Sequence, residues 1–308
     1  MKYLMSNLKS AFQKKILSAN NLSNDRLINR FAYIHRSEHL NNCALNSKEP
    51  GVLNEKYCSS EVIVSLTTYD NRLYEVYLAI ESIMQQSLKP NRIILWLSDD
   101  LENVNMPRAL RNQQKRGLEI KYCKDIRSYK KLIPALKAFP SAVILTIDDD
   151  RLYYFDLIEN MINAYNKNPK LIYCTSMRRM NLLSKNMLEK YYKWSKEKYS
   201  DASPLNFPVG GGGVLYPPNC FSDEVFNENV FWDICKYADD VWFKAMALLN
   251  GTMAQRIFTH NKNGSDTLTN KISEHTALNH INRKMNDIQL KAVFDKYGLY
   301  EKLTNYQS

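Results

Sequence analysis

Three places in this sequence concentrate groups that could do chemistry. Asp148, Asp149 and Asp150 directly follow an apolar run, in AVILTIDDD. Adjacent carboxylates repel, and oxygen donors of this kind suit a hard cation such as Mg2+ or Mn2+. Asp148 and Asp150 are therefore candidate metal ligands, for a Lewis acid that would share its shell with water and phosphate. A solvated turn, or the N-cap of the following helix, is the plainer reading of the same residues. The second place is the run from Gly210 to Gly213, four of only nine glycines in the chain. Such a run weakens a helix or strand, and makes sense where backbone must approach a ligand closely or adopt positive φ. A flexible loop is the alternative, against which stand the apolar flanks Val209, Val214 and Leu215. The run fits neither a dinucleotide fingerprint nor a phosphate-binding loop with a following Lys-Ser/Thr. Third, Asp239 and Asp240 open an apolar stretch that ends near Asn250-Gly251. Carboxylates at a helix start gain from the helix dipole. One standing apart from the triplet could also act as a general base toward a hydroxyl nucleophile.

The elements that must position these groups can be read from apolar patterning. Short β-branched runs at 61–66, 92–97, 118–122 and 142–147 predict strands buried on both faces. Between the first two, Leu73, Val76, Tyr77, Ile80, Ile83 and Met84 follow helical spacing. A second helix fits Tyr129, Leu132, Ile133 and Leu136, with Pro134 either kinking it or marking its first turn. A third fits Leu157, Ile158, Met161, Ile162 and Tyr165. Alternation of this kind predicts a mainly parallel α/β sheet with right-handed crossovers, and ligands outside the carboxyl ends of its strands.

At 308 residues with 44% hydrophobic content, the chain can bury a large core, and disorder is excluded as a general state. The net charge is +10, and the first 60 residues hold nine Lys/Arg against four Asp/Glu. A basic arm suits nucleic acid or anionic lipid, but no zinc-finger spacing or RNP-like aromatic motif is present. Residues 1–20 place Leu4, Met5, Leu8, Phe12 and Ile16 on one helical face with lysines beside it, which suits either an interfacial helix or one packed on the domain. Residues 41–59 are polar with Pro-Gly at 50–51 and read as a linker. His35, His39 and Cys43 share a helix face but lack a fourth ligand, so they read as solvated. The six cysteines form no CxxC pair and read as reduced, and no apolar window is long enough to span a bilayer. With no signal peptide visible, the chain reads as cytoplasmic.

The first strand followed by Thr67-Thr68-Tyr69 and Arg72, and the helix that runs into Gln85-Gln86-Ser87-Leu88-Lys89-Pro90, resemble the opening of the family 2 type glycosyltransferases with a GT-A fold. The Asp148–Asp150 triplet is similar to that family's DxD metal motif. The glycine run, through Gly211 and Gly212, resembles its donor–acceptor loop, and Asp239-Asp240 its acidic pair with Asp in place of Glu. Over roughly residues 60–262, the resemblance implies a nucleotide-diphospho-sugar transferase. Thr67, Tyr69, Arg72, Asp125, Lys130, Asp148 and Asp149 would bind the donor, and Lys130 with Lys131 could neutralise its diphosphate or simply begin a solvated basic helix. Asp148, Asp150 and His260 would hold Mg2+ or Mn2+, and Asp240, with Asp239 beside it, would be the base.

The expectation is thus a GT-A domain over 60–265, a basic helical segment and linker over 1–59, and a helical extension over 266–308. Its reaction would be inverting transfer from a nucleotide sugar, UDP-linked by family habit, to a glycan or lipid-linked acceptor in cell-envelope polysaccharide synthesis. Peripheral contact with the inner face of the membrane, through the N-terminal segment, belongs to the same expectation. Tyr191, Tyr192 and Trp194 are candidates for stacking on acceptor sugar, or for ordinary packing. Two other classes stay open. A sugar-phosphate nucleotidyltransferase would carry a glycine-rich loop after the first strand, where SLTTYDNR has no glycine. A basic surface-binding protein would keep the fold without the activity.

Overall fold

The computed structural model describes residues 27–196, 199–259, 267–269 and 279–304, the side chains of 279–284 excepted. The amphipathic stretch at 1–20 and His260 lie outside these described residues. The four apolar runs become β1 (Val62–Thr67), β2 (Arg92–Ser98), β3 (Leu118–Cys123) and β4 (Val143–Thr146). β1 pairs in parallel with β2 and with β4, and β2 in parallel with β3. β1, β2 and β4 read as continuous apolar runs because both faces are covered, whereas β3, expected to be buried likewise, is the edge strand, alternates apolar and charged residues, and is fully buried only at Leu118. Val62, Val64 and Leu66 join Leu95 and Leu145 in one core, while Ile63, Ile94 and Ile144 join the other.

The chain continues through β5 (Arg151–Tyr153), β6 (Ile172–Cys174), β7 (Met177–Arg179), β8 (Leu182–Ser184) and β9 (Met187–Leu188). β10 (Asn206–Pro208), β11 (Val214–Tyr216), β12 (Ala254–Arg256) and β13 (Thr267–Thr269) follow. The main sheet has seven strands in the order β12-β6-β11-β4-β1-β2-β3. β11 runs antiparallel to both neighbours, so the sheet is mixed and mainly parallel, as expected.

Nine helices are described: α1 at 27–46, α2 (Val76–Met84), α3 (Arg108–Gln114), α4 (Ile133–Ala138), α5 (Leu157–Lys167), α6 (Glu228–Ile234), α7 (Asp239–Asn250), α8 (Asn279–Tyr297) and α9 (Glu301–Thr304). The helix expected over 73–84 begins as a 3-10 turn, Asp70–Tyr74, before α2. Pro134 does not kink a helix. It lies in the first turn of α4, where a missing N–H breaks no bond, and the 3-10 turn Arg127–Lys131 precedes it. Gly251 closes α7 in the left-handed region, φ +80.

Both flanking stretches are tied to the sheet. α1 runs to residue 46 with Leu40 and Ala44 fully buried. The stretch read as a linker then hydrogen-bonds to the domain, Gly51 N–H to the Arg116 carbonyl (2.8 Å) and Leu53 N–H to that of Pro90 (3.0 Å). At the other end Leu290, Val293 and Phe294 of α8 are buried, and Tyr297 meets Trp242 edge-on at 5.9 Å. This side of α8 is therefore a packing face against α7.

One buried ion pair fastens α2 to the segment after α3. Glu81 accepts from Arg116 Nη1 (2.8 Å) and Nη2 (3.0 Å), and from Gln113 Nε2 (2.9 Å). The Arg116 and Glu81 side chains are 4% and 0% exposed, so neither charge has water to fall back on. Arg116→Met is expected to cost about 3–5 kcal/mol by leaving Glu81 unpaired, and adding Glu81→Met should recover most of it. Urea unfolding of both variants checks this, and a double variant no more stable than the single one would count against the pairing.

Candidate active site

The parallel register of β1 and β4 sets Ser65 beside Thr146, so Thr67-Thr68 and Asp148-Asp149 leave the sheet together. Thr68 Oγ1 donates to Asp149 Oδ2 (2.7 Å) and Arg72 Nη1 to Asp149 Oδ1 (2.7 Å). Arg72 also lies 3.2 Å from Asp150 Oδ2, and Arg151 Nε 3.7 Å from Asp150 Oδ1. The repulsion within the triplet is thus answered first by the protein's own cations. The middle carboxylate is turned inward, 8% exposed, while Asp148 and Asp150 are 31% and 26% exposed toward the cleft.

Lys131 joins this triplet to the second acidic pair. Its Nζ lies 3.1 Å from Asp148 Oδ1 and 3.0 Å from Asp239 Oδ2. Burial alone would strip the proton from this amine, but Asp148 and Asp239 outweigh it and hold the ammonium well above its usual range. Burial likewise opposes the charge of Asp148, yet Lys131 and Arg151 hold that carboxyl below its ordinary value. The backbone of Lys131 is fixed from the sheet: Ser65 Oγ donates to its carbonyl (2.6 Å) and receives the Trp96 indole N–H (3.1 Å). This explains a serine inside the otherwise apolar β1.

Asp240 begins α7 beside Asp239, and its Oδ2 accepts the Gly210 N–H (3.1 Å). Burial, then the neighbouring charge of Asp239, push Asp240 up to about 7. The glycine run is buried: Gly210–Gly212 form a 3-10 turn, and Gly213 takes φ +95. A Cβ at Gly210 would sit 2.9 Å from both Asp240 Oδ1 and Lys131 Nζ. One at Gly211 would sit 2.9 Å from Arg151 Nη2, and one at Gly212 2.4 Å from Thr175 Oγ1. Close approach is therefore what the run supplies at its first three positions. Tyr153 links it to the triplet, its hydroxyl receiving the Asp148 N–H (2.8 Å) and donating to the Gly211 carbonyl (3.3 Å).

All of this opens into one cleft of about 1420 Å3. Thr67, Tyr69 and Arg72 line it, as do Asp125 and Lys130, which pair with each other. Asp148, Asp149, Asp150, Gly211, Asp239 and Asp240 line it too. Gly212 does not, because it faces Thr175 and Ser176 in the interior. Among the aromatic candidates, Tyr191 and Tyr192 reach the wall, whereas Trp194 is 2% exposed and packs on Tyr191 and Phe207. The sequence reading gave no site role to Thr68 or Arg151 and did not single out Lys131 from Lys130. A cation directly after the triplet, at 151, was the one available signal.

Among the described residues, no group of three or more His, Cys, Asp or Glu side chains could hold a metal ion by itself. The donor set still suits one that arrives with phosphate. Asp148 and Asp150 both face the cleft, and Mg2+ is usually held by one or two carboxylates with phosphate and water.

No protein-family model matches the chain, and no curated protein matches it in sequence. Several solved structures are similar in fold. Staphylococcus aureus TarS 1–349 aligns at 13% identity and TM-score 0.43 over 64% of this chain and 58% of that one. The 4-diphosphocytidyl-2C-methyl-D-erythritol synthase of Anaerococcus prevotii aligns at 13% and 0.45, over 72% and 96%. The mannosyltransferase PcManGT of Pyrobaculum calidifontis, in complex with GDP-Man and Mn2+, aligns at 14% and 0.43, over 75% and 63%. The chain thus spans less than two thirds of the TarS fragment and of the mannosyltransferase.

The raised proton affinity of Asp240 has a consequence for stability. The folded protein holds this proton more tightly than an exposed carboxylate near pH 4 would. Stability from this group is therefore present in acid and lost as pH rises toward about 7. Asp240→Asn should stabilise the fold by about 1–3 kcal/mol near pH 8 and by much less near pH 4. Thermal melts at the two pH values test the sign; equal shifts at both would refute the shifted carboxyl.

Proposed function

We propose that this chain is a GT-A glycosyltransferase that moves a sugar, with inversion, from a nucleotide-diphosphate sugar, a UDP-sugar first among them, to a hydroxyl of a glycan or lipid-linked acceptor. One observation carries the reading: the acidic triplet after β4 and a separate carboxylate, Asp240, share one cleft at the carboxyl ends of β1 and β4. In this reading residues 60–265 form the catalytic domain, with 1–59 and 266–308 as extensions. No described helix is long and apolar enough to cross a membrane. We place the reaction at the inner face of the cell membrane, in the synthesis of envelope polysaccharide.

The residues divide the work by position. Thr67, Tyr69, Arg72, Asp125 and Lys130 line the part of the cleft contributed by β1 and the segment after β3, and are assigned to the nucleotide. Asp148 and Asp150 would hold Mg2+ or Mn2+, with His260 assigned as a further ligand; the ion would supply Lewis-acid charge to the diphosphate. Asp149 fixes Arg72 and Thr68 rather than facing donor directly. Asp240 takes the proton of the acceptor hydroxyl as its oxygen attacks the anomeric carbon. The bond from that carbon to the diphosphate oxygen breaks, and its electron pair leaves with the nucleoside diphosphate. Lys131 and Arg151 put fixed positive charge beside the triplet, where leaving-group charge grows. Asp239 anchors Lys131, and the loop through Gly211 keeps this wall thin. A base with a pKa near the working pH combines the right ionisation with a useful driving force.

A panel of nucleotide sugars, scored for nucleoside diphosphate release with and without acceptor glycans, tests the proposal. Asp240→Asn should lower turnover about 10²–10⁴-fold. Wild-type kcat/KM should rise with pH through about 7, because the base must be unprotonated. Turnover by Asp240→Asn close to wild type would remove the base, and pyrophosphate release would place the chain among nucleotidyltransferases instead. EDTA should abolish turnover and Mn2+ restore it, whereas full activity in EDTA would rule out the ion.

A further inference from the structure

One stretch of the cleft wall takes no part in holding the donor or the triplet. It is built from β7, β10, the segment 191–196 and α8. β7 and β10 pair antiparallel, with Arg178 across from Phe207. Residues directly opposite in such a pair point to the same face. Tyr191 lies against both: the Arg178 guanidinium sits 4.5 Å from its ring centroid, and Phe207 meets it edge-on at 5.6 Å. From Phe207 the chain runs through Val209 to Gly210, whose N–H is bonded to Asp240 (3.1 Å). Three extended residues span about 10 Å, at about 3.3 Å each. Tyr191 accordingly feels the charges of both Arg178 and Asp240. This wall therefore begins at Asp240 and leads away from it, over a distance on the scale of a saccharide.

Its charge is unbalanced. Arg178 is held on Tyr191 by the ring and by the carbonyl (Nη1, 3.4 Å), and among the described residues neither it nor exposed Lys196 pairs with a carboxylate. The carboxylate on this wall, Asp287, accepts the Tyr191 N–H (2.8 Å). A guanidinium and an ammonium beside an aromatic wall suit an anion brought from outside. Asn286 of α8 makes a second demand. It lines the cleft and is 8% exposed, yet its Oδ1 has no hydrogen-bond partner among the described residues. A buried amide oxygen left so is costly, and a sugar hydroxyl is a donor that would satisfy it. The rings of Tyr191 and Tyr192, the latter 66% exposed, offer apolar faces between these polar groups.

We infer that the acceptor is an acidic saccharide: Arg178 and Lys196 bind its carboxylate or phosphate, Tyr191 and Tyr192 carry its ring, and one of its hydroxyls donates to Asn286. The planar guanidinium takes two oxygens of such a group at once, which fixes the direction of the saccharide as well as its charge. A saccharide held this way extends along β10 toward Gly210, with its next hydroxyl at Asp240. The name acceptor rests on the transferase reading, but the capture of an acidic saccharide does not, so the two can fail separately.

Calorimetric binding of matched disaccharides to the full chain tests this. Each is supplied as the neutral methyl glycoside, the uronate and the 1-phosphate, with UDP and Mn2+ present to occupy the donor region. One anionic form should bind about tenfold or more tighter than the neutral form, by a margin that shrinks with salt. A uronate preference marks an acidic sugar as the source of the charge, and a 1-phosphate preference marks the phosphate that links a glycan to its carrier. Arg178→Gln should erase the margin while leaving the neutral form's affinity and the thermal midpoint near wild type. Lys196→Glu, at an exposed position, should cut the margin without touching the fold, and Asn286→Ala should weaken all three forms alike. Equal binding of the three forms overturns the inference, as does a margin that survives Arg178→Gln or is unchanged in Lys196→Glu. In turnover, a raised donor KM with unchanged acceptor KM in Arg178→Gln would give this arginine to the donor diphosphate instead.

Discussion

Lys131 reaches the cleft from the 3-10 turn before α4, between two carboxylates that would otherwise repel. Asp148 ends β4 and Asp239 opens α7, and a 3.1 Å and a 3.0 Å contact to one ammonium hold both ends in place. Removing water from these charges is costly, so the three groups are tolerable only together. The rest of the site depends on this arrangement. Asp240 sits one residue beyond Asp239, the turn at Gly210 passes close enough to exclude any side chain, and Ser65 and Trp96 fix the lysine backbone from the sheet.

The same arrangement separates the behaviour of carboxylates that look alike in sequence. Asp148, beside Lys131 and Arg151, is held ionised, as a ligand for cation or phosphate-bound metal requires. Asp240 is crowded by burial and by Asp239, and keeps its proton up to about 7. Asp149 is turned away and committed to Thr68 and Arg72, bracing the turn after β1. Environment, rather than residue type, separates these carboxylates.

The described parts of both terminal stretches pack on the same sheet-and-helix core. α1 and the stretch after it are tied to α2, Pro90 and Arg116, and α8 packs on α7 while reaching the cleft rim through Asn286 and Asp287. Tyr191 N–H donates to Asp287 Oδ1 (2.8 Å), so the wall bearing Tyr191 is braced by the C-terminal helix.

The sequence by itself determined the frame. Continuous apolar runs can satisfy both faces only inside a covered sheet, so β1, β2 and β4 stood out within a residue or two of their ends. The acidic triplet could be placed at a strand's carboxyl end for the same reason, and the glycine run was legible as close approach. The tertiary structure decided what each charged group faces. Thr68 meets Asp149 across 81 residues, and Lys131 meets Asp239, because neighbouring strands and helices bring distant segments together. Local spacing encodes which face of an element is apolar, but it does not encode the partner across a cleft. For that reason Lys130 and Lys131 read alike in the sequence, yet in the fold the first pairs with Asp125 and the second holds the acidic centre together.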